Sequence, residues 1–310
     1  MQRFIDPKTL ARVKDLPLVA KTVAEGFLHG LQTSMQRGVG IEFSQYRPYE
    51  NGDELSRVDW KLFARSDRYF VREAERESEI DIWILLDASR SMMQKSESNL
   101  SFSSNSNSES FNGWSKLDYA KHLVASIGYI AQKQGDSFGY LGMSSDSLNF
   151  LPSASSERHW RKLLLTLAQT KCGNYFPKPD LLKNYLNQFQ KPSIIFVISD
   201  FNQKQSEISQ FIGNLNSNMS EVVAVQLTCD DEINFNYKGA VRFKDLESGE
   251  EILLSANATK SAYLENYQTY QKQLDEELAQ KNIVCNRFNI DQPLDQILYE
   301  YMRQRQRVAR

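Results

Sequence analysis

Two short apolar runs that each end in a carboxylate constrain this chain more than any other feature. Residues 80–87 have the sequence IDIWILLD, and residues 192–200 have the sequence PSIIFVISD. Nearly continuous apolar and β-branched residues over this length are typical of strands that are buried on both faces, as in parallel sheets covered by helices. The chain therefore places Asp87 and Asp200 at the ends of two buried strands.

Strands and helices alternate from about residue 80 onward. Segment 115–135 has apolar residues at alternating spacings of three and four, which is typical of one helix face. Repeated strand–helix–strand units predict an α/β fold, with a parallel or mostly parallel sheet between two layers of helices. The full prediction is strand 80–87, helix 115–135, strands 137–143 and 147–152, helices 157–169 and 179–189, strand 192–200, helix 206–216, strand 221–227, hairpin 241–255, helix 260–281, strand 283–290 and helix 293–305.

Two regions depart from this alternation. Residues 1–79 are predicted to form an accessory segment that begins with a helix over 6–30, and residues 80–310 form the main domain. Within the main domain, residues 96–112 are predicted to be a flexible insertion. Eight of the fifteen residues in 96–110 are serines, and such a segment cannot bury enough apolar area to fold alone.

Charge and the lengths of the apolar runs exclude several classes of protein. With 37 basic and 39 acidic residues, the formal charge is −2, which gives no general attraction to nucleic acid or anionic lipid. No apolar run approaches the ~20 residues that a membrane-spanning helix needs, and no signal-peptide pattern opens the chain. Three isolated cysteines fit a reducing compartment. We expect a cytoplasmic protein that does not bind nucleic acid or span a membrane.

The acidic strand ends are the candidate functional site. Ligands of open α/β sheets bind at the carboxyl ends of the strands. Asp87, Ser89 and Ser91 occupy alternate positions, which point to one side of an extended loop. If the two strands are neighbours, Asp200 comes close to Asp87, and two such carboxylates favour either protonation or a bound cation. Oxygen ligands of this kind suit Mg2+.

These residues resemble a known site. D-x-S-x-S-M after a buried strand, followed later by I-S-D at a second strand end, is similar to the metal-ion-dependent adhesion site of von Willebrand factor A domains. The wider sequence resembles a bacterial family of such domains, the domain of unknown function 58. The matching segments are GIEFSQYRPYENGDELSRVDWKLFARSDRYFVRE (40–73), DASRSM (87–92), KLDYAKHL (116–123) and VISDF (197–201).

The resemblance implies a fold and a way of working. The expected fold is a three-layer von Willebrand factor A-like domain with a mostly parallel central sheet, preceded by an N-terminal accessory α+β segment. The expected function is a non-enzymatic protein-interaction module that binds Mg2+, or Mn2+ or Ca2+, and accepts a carboxylate from its partner. Family members resemble partners of MoxR-type AAA+ ATPases in protein maturation or stress response, so such an ATPase, or another von Willebrand A-domain protein, is the expected partner.

The third loop of the site departs from the family pattern. The usual Thr is replaced by Pro179, which has no side-chain oxygen, and Asp180 is beside it. Asp180 can substitute as a direct or water-mediated ligand, so the predicted metal ligands are Asp87, Ser89, Ser91, Asp200 and Asp180. The alternative is a degenerate site, in which the acidic strand ends only accept backbone hydrogen bonds and the protein is a metal-independent scaffold.

An arginine-rich motif in the N-terminal segment is expected to be structural. Its arginines alternate with carboxylates, which cancels the field that a phosphate-binding surface needs. Arg57 and Arg65 are predicted to pair with carboxylates such as Asp53 and Asp59. The aromatic residues Trp60 and Phe63 are predicted to be buried toward the core.

Two other functions are less favoured by the sequence. No Gly-rich phosphate loop, G-x-S-x-G motif or nucleophile–histidine spacing is present, so no catalytic residues are predicted. A metal-dependent hydrolase, in which the two aspartates and a cation activate water, stays as an alternative. A scaffold that binds through the tyrosines of helix 260–281 is a further alternative, although packing of that helix on the sheet is favoured.

Overall fold

The computed structural model describes residues 16–37, 45–48, 60, 63, 65, 68–73, 81–95, 114–189, 192–202, 206–215, 220–246, 249–294 and 297–299. Its α-helices are α1 (Leu16–Arg37), α2 (Lys116–Gln134), α3 (Glu157–Gln169), α4 (Pro179–Leu186), α5 (Glu207–Leu215), α6 (Asp230–Asn234) and α7 (Ala256–Ala279). Its strands are β1 (Gln45–Pro48), β2 (Phe70–Glu73), β3 (Asp81–Asp87), β4 (Ser137–Met143), β5 (Leu148–Ala154), β6 (Ser193–Ser199), β7 (Ser220–Thr228), β8 (Ala240–Lys244), β9 (Glu251–Ser255) and β10 (Cys285–Asn289).

The central sheet has six strands in the order β10-β7-β6-β3-β4-β5. All neighbouring strands are parallel except β4 and β5, which are antiparallel at one edge. The first strand of the sheet in sequence, β3, is central. Strands β4 and β5 lie on one side of it, and β6, β7 and β10 lie on the other. The order in which strands are added therefore changes direction between β3 and β6. The predicted α/β class with a mostly parallel sheet is confirmed.

Helices cover both faces of this sheet. Along β3, Ile82, Ile84 and Leu86 belong to one core with helices α1, α2 and α3. The alternate residues Trp83 and Leu85 belong to a second core with helices α4, α5 and α7. Successive side chains of a strand point to opposite faces, and β3 is apolar at both sets of positions because both faces are covered. This three-layer architecture is that of the predicted von Willebrand factor A-like fold.

Helix α2 begins and ends at strong capping residues. The Ser115 hydroxyl accepts a hydrogen bond from the main-chain N–H of Asp118 at 3.1 Å, and the Asp118 carboxylate accepts one from the main-chain N–H of Ser115 at 3.2 Å. This reciprocal pair is a capping box. Gly135 ends the helix with φ of 81°, a left-handed conformation that glycine adopts without strain. Lys116 is therefore held at the first helical position.

The N-terminal segment contributes directly to one core. The buried residues Val23, Ala24 and Phe27 of α1 pack in the same core as α2, and Tyr129 of α2 donates a hydrogen bond to Glu25 at 2.7 Å. Helix α1 continues to Arg37, beyond the predicted end at residue 30. Residues 6–15 lie outside the described part of the chain.

Trp60 is not buried, so that prediction is wrong. Its side chain is 56% exposed and contacts Phe63 edge-on, with ring centroids 6.2 Å apart. Phe63 instead stacks on Tyr69 at 4.4 Å, so the aromatic residues of this segment pack on one another. The predicted carboxylate partners of Arg57 and Arg65, and Arg57 itself, lie outside the described residues.

The remaining differences from the predicted elements are small. Strands β8 and β9 form the predicted hairpin, whose turn contains Gly249 with φ of 77°. Helix α7 begins four residues early, at Ala256, and the short helix α6 was not predicted. Leu274 and Leu278 of α7 are buried against the sheet, which confirms the expected packing of this helix. The insertion 96–112 lies outside the described residues, and no helix within them is both long and apolar enough to cross a membrane.

Candidate functional site

Four of the five predicted ligands meet at the carboxyl edge of the sheet. Strands β3 and β6 are parallel neighbours, with Leu86 beside Ile198. Asp87 ends β3 and Asp200 follows β6, so their side chains come together as predicted. Asp87, Asp200, Ser89 and Ser91 are all buried, with at most 9% of each residue exposed. We call these four residues the strand-end cluster.

Both carboxylate oxygens of Asp87 accept hydrogen bonds. Oδ1 accepts one from the main-chain N–H of Ser89 at 2.8 Å, and Oδ2 accepts one from the Ser199 hydroxyl at 2.6 Å. Burial, and then the negative charge of Asp200, nevertheless raise the pKa of Asp87 from 3.8 to about 7. The Asp87 carboxylate is thus held in a place that disfavours its own charge. Ser199 was not singled out from the sequence, although it directly precedes Asp200.

A chain of hydroxyl groups links the two sides of the cluster. The Ser89 and Ser91 hydroxyl oxygens are 3.0 Å apart, and the Ser91 hydroxyl donates to Oδ1 of Asp200 at 3.1 Å. Asn202 donates to both oxygens of Asp200, from its main-chain N–H at 3.1 Å and its side-chain amide at 2.9 Å. The oxygen atoms of the cluster are therefore fixed within one connected network.

A buried lysine contacts this network from the side of Asp200. The ammonium of Lys116 lies 3.3 Å from Oδ2 of Asp200, 2.7 Å from Oε1 of Glu232 and 3.2 Å from the side-chain oxygen of Gln94. Burial alone would lower the pKa of Lys116, but Asp200 and Glu232 outweigh it and the pKa lies above its ordinary value. Lys116 is thus a permanent cation.

Lys116 was not predicted as a site residue, although its place at the start of a helix is unusual for a lysine. Lysine at the first position of a helix opposes the helix dipole, whose positive end lies there. The unfavourable charge at this position is offset here by the carboxylates of Asp200 and Glu232. Glu232 was missed as well, because it belongs to the short helix α6, which has no strong apolar periodicity.

Asp180 is exposed and is not buried with the strand-end cluster. Its side chain is 84% exposed and forms an ion pair with Lys183 at 2.7 Å, whereas the four clustered residues are buried. Pro179 begins helix α4, as predicted, and so Asp180 occupies the exposed first turn of that helix. The structure thus brings together four of the predicted ligands and leaves the fifth at the surface.

The strand-end cluster has the chemistry of a site for a small, hard cation. It offers two carboxylates and two hydroxyl groups, and such a cation binds oxygen atoms and keeps several waters. Burial, and then the charge of Asp200, raise the pKa of Asp87, and a bound cation would stabilise the ionised form of this carboxylate. Among the described residues, however, no group of three or more His, Cys, Asp or Glu side chains is arranged around a common metal position. A cation here would depend on hydroxyl groups and water for the rest of its ligands.

A groove of about 720 Å³ opens beside the strand-end cluster. Ser91 and Asn202, both hydrogen-bonded to Asp200, belong to its wall, and β8 with the turn that follows it also lines the groove. Three aromatic side chains in the wall give it apolar surface. They are Tyr237, Phe243 and Tyr270.

Basic residues predominate among the charged groups of this groove. Lys95, Arg242 and Lys244 contribute three cations, against the single carboxylate of Asp245. Arg242 and Lys244 share one carboxylate partner, Glu251, at 3.4 and 3.6 Å. The groove therefore combines apolar surface with an excess of positive charge, a combination that suits an acidic segment of another protein.

Comparison with known proteins identifies the family but not an activity. The sequence profile described as "Protein of unknown function DUF58" matches residues 45–275. "Uncharacterized protein Rv1480" of Mycobacterium tuberculosis (strain ATCC 25618 / H37Rv) is 25% identical over 254 residues, which cover 79% of this chain and 73% of the relative.

Two solved structures give weak overall superpositions. The "conserved hypothetical protein BatB" of Bacteroides thetaiotaomicron is 13% identical with a TM-score of 0.38, covering 66% of this chain and 98% of that protein. The "SpRpn10 VWA domain" is 12% identical with a TM-score of 0.38, covering 71% and 94%. Because the family profile spans well over half of the sequence, the chain belongs to the DUF58 family of proteins of unknown function.

Proposed function

We propose that this protein is a non-enzymatic, cytoplasmic interaction module that binds a partner protein at the strand-end cluster and its adjoining groove. The observation that carries the proposal is the convergence of two buried aspartates and two serines, next to an apolar and basic groove. Such a surface can recognise an acidic partner without any turnover chemistry. A MoxR-type AAA+ ATPase, in protein maturation or stress response, is the partner that the family resemblance suggests.

A divalent cation, Mg2+ or alternatively Mn2+ or Ca2+, is proposed to complete the site. Ser89 and Ser91 would hold it through their hydroxyl oxygens, with Asp87 and Asp200 acting directly or through water. When bound, the cation would supply an attachment point for a carboxylate of the partner. The protein's own part is to fix these oxygens, to bury them from competing solvent and to present the groove beside them.

Titration of the purified protein with Mg2+ and Mn2+ by calorimetry tests this proposal. Asp87→Asn is expected to abolish or weaken binding by about tenfold or more, since it removes a charged ligand. Asp180→Asn is the matched control, because that carboxylate is exposed and pairs with Lys183, and its affinity should equal that of the wild type. Absence of metal binding by the wild type would contradict a metal-dependent site. An Asp180→Asn variant as weak as Asp87→Asn would restore Asp180 as a ligand.

A second candidate is a metal-independent scaffold, and one specific contact favours it. The ammonium of Lys116 already neutralises Asp200, at 3.3 Å, so the cluster is partly balanced without any added cation. The two candidates differ in how partner capture responds to chelator. Binding of a MoxR-type AAA+ ATPase that is lost in EDTA supports the metal-dependent form, while unchanged binding in EDTA and in Asp87→Asn supports the scaffold.

Charge reversal on the hairpin tests whether the groove takes part in docking. Arg242→Glu with Lys244→Glu changes two exposed side chains, 71% and 60% exposed, so the fold should tolerate it. The expected result is a loss of capture of the AAA+ ATPase, because an acidic segment would be repelled. Arg161→Glu is the control, since Arg161 is 70% exposed and lies on α3, which packs on the other face of the sheet from α7. If the hairpin variant captures the ATPase as well as the Arg161→Glu control does, the groove is not part of the docking surface.

The hydrolase alternative has its own test. A turnover assay with phosphate esters and Mg2+ is expected to give no saturable activity. Saturable hydrolysis that disappears in Asp87→Asn would instead establish an enzyme.

A further inference from the structure

Among the described residues, Lys116 is the lysine or arginine that is buried. Its side chain is 1% exposed, as is that of Asp200, while that of Glu232 is 13% exposed. A lysine ammonium has three N–H donors, and Asp200, Glu232 and Gln94 supply three acceptors. The main-chain N–H of Lys116 also donates to the carbonyl of Gln94 at 3.0 Å. The position of this cation is therefore fixed by both its backbone and its side chain.

The ammonium and the strand-end cluster share one carboxylate. Lys116 contacts Oδ2 of Asp200, whereas the Ser91 hydroxyl contacts Oδ1 of the same group. The hydrogen bonds of Asp87 come instead from Ser89 and Ser199. Lys116 thus offsets part of the charge of Asp200 and Glu232, and Asp87 is not among its three hydrogen-bond acceptors.

From this geometry we infer that Lys116 is a built-in counter-ion that sets the charge of the strand-end cluster and so limits its affinity for divalent cations. The inference rests on the proposed metal-dependent function. With Asp87, Asp200 and Glu232 ionised, Lys116 reduces the formal charge of the group from −3 to −2. Charges this close interact strongly inside a protein, where screening by water is weak. A cation in the cluster is then repelled by Lys116. Less of its charge is offset by the protein, so it attracts a partner carboxylate more strongly.

A purely structural role is the competing explanation. Lys116 joins α2 to the loop after β3 and to α6, through Gln94 and Glu232. Removing one member of a buried ion pair is strongly destabilising in general. A structural lysine would therefore lower stability when replaced, but metal affinity would not follow the number of charges in the group.

A set of variants that differ stepwise in the charge of this group separates the counter-ion role from the structural role. Lys116→Met and Lys116→Gln make the group more negative by one, and the Gln variant keeps a hydrogen-bond donor in case Met impairs folding. Glu232→Gln makes the group less negative by one, and the double variant Lys116→Met/Glu232→Gln restores the wild-type charge. Lys133→Met is the control, because Lys133 is exposed at the far end of the same helix, about 25 Å away.

The dissociation constant for Mn2+, measured by calorimetry and checked by the Mn2+-dependent shift in melting temperature, is the readout. We expect binding about tenfold tighter or more in the Lys116 variants and weaker by a similar factor in Glu232→Gln. The double variant should lie within about threefold of the wild type, and Lys133→Met should equal it. Affinities that do not follow this order overturn the inference.

The result also distinguishes this inference from the proposed function. If the wild type binds Mn2+ through Asp87 but the Lys116 variants bind no tighter, only the counter-ion role fails. If neither the wild type nor the Lys116 variants bind Mn2+, the metal-dependent function and the counter-ion role both fail. If neither Lys116 variant folds, Glu232→Gln decides alone, and an unchanged affinity in that variant overturns the inference.

Discussion

At the scale of single residues, the buried carboxylate of Asp87 in the strand-end cluster lowers the stability of the folded protein. Asp87 is fully buried beside Asp200, and its pKa is raised to about 7. A carboxyl group with a raised folded-state pKa binds more protons in the folded than in the unfolded state. The contribution of Asp87 to stability therefore falls as the pH rises from about 4 to about 7 and is lost above pH 7. A chain selected for stability alone would not keep an aspartate at this position.

Asp87→Asn is expected to stabilise the metal-free protein at neutral and alkaline pH. The amide oxygen can still accept from the Ser89 N–H, and the Ser199 hydroxyl can rotate to accept from the amide nitrogen. The gain should be absent near pH 4, grow up to pH 7 and reach a few kcal/mol at most, on the order set by the pKa shift. Urea unfolding in EDTA at several pH values measures it. A constant difference between variant and wild type across this range would contradict the assigned pKa.

At the scale of elements, helix α2 organises both the core and the site. Its N-terminus holds Lys116, and its middle crosses α3 at Gly128. The chain on either side of the Ser-rich insertion is closed by a β-bridge between Lys95 and Ser115, so the insertion leaves and rejoins the domain at adjacent points. Because loop length costs little once the ends are fixed, this arrangement explains how the domain accommodates the insertion beside its site.

Gly128→Ala is expected to destabilise the protein although alanine is the better helix former. A Cβ at Gly128 would lie 2.6 Å from Cδ2 of Leu163 on α3, so the two helices would have to separate. Overpacking of this kind costs about 1–3 kcal/mol. Gly213→Ala on α5 is the matched control, since the three atoms nearest to its Cβ all belong to the flexible side chain of Lys281, and it should be neutral or stabilising by up to about 1 kcal/mol. Thermal unfolding of both variants decides, and equal melting temperatures would refute the crowding at Gly128.

At the scale of the whole molecule, the N-terminal helix is part of the main core. Phe27 of α1 is fully buried in the core that contains α2, and its ring packs edge-on against Tyr299 at 4.8 Å. Residues from both ends of the chain therefore meet in one layer. The predicted division at residue 79 separates sequence segments, but the packing of α1 joins them.

Phe27→Ala should destabilise the entire domain. Removal of a fully buried phenylalanine costs about 3–5 kcal/mol, and the loss should appear as one cooperative transition at a lower temperature. Leu18→Ala on the same helix is the control, because Leu18 is 55% exposed and its replacement should change stability by less than about 0.5 kcal/mol. A separate early transition in Phe27→Ala, with the main transition unmoved, would mean that α1 folds independently.

The sequence alone was sufficient for local structure and for the place of the site. Strands β3 and β6 were predictable from nearly continuous apolar runs of strand length, and helix α2 from apolar residues at spacings of three and four. The sequence placed Asp87 and Asp200 at strand ends, and their convergence followed once β3 and β6 proved to be parallel neighbours. Two features were not predictable. Asp180 is exposed at the start of α4, and Trp60 packs on Phe63 and Tyr69 outside the core.

Only the tertiary structure decided the electrostatics of the site. Lys116 lies 84 residues from Asp200 and 116 residues from Glu232 along the chain, and nothing in the sequence near any of them specifies the other two. The strand order of the sheet, set by packing of the whole domain, brings these charges within a few ångströms. Burial and charge neighbours depend on every layer around them, whereas periodicity depends only on neighbours in sequence. For that reason the sequence could predict which strand ends carry the acidic residues, whereas only the fold determined which charged groups surround them.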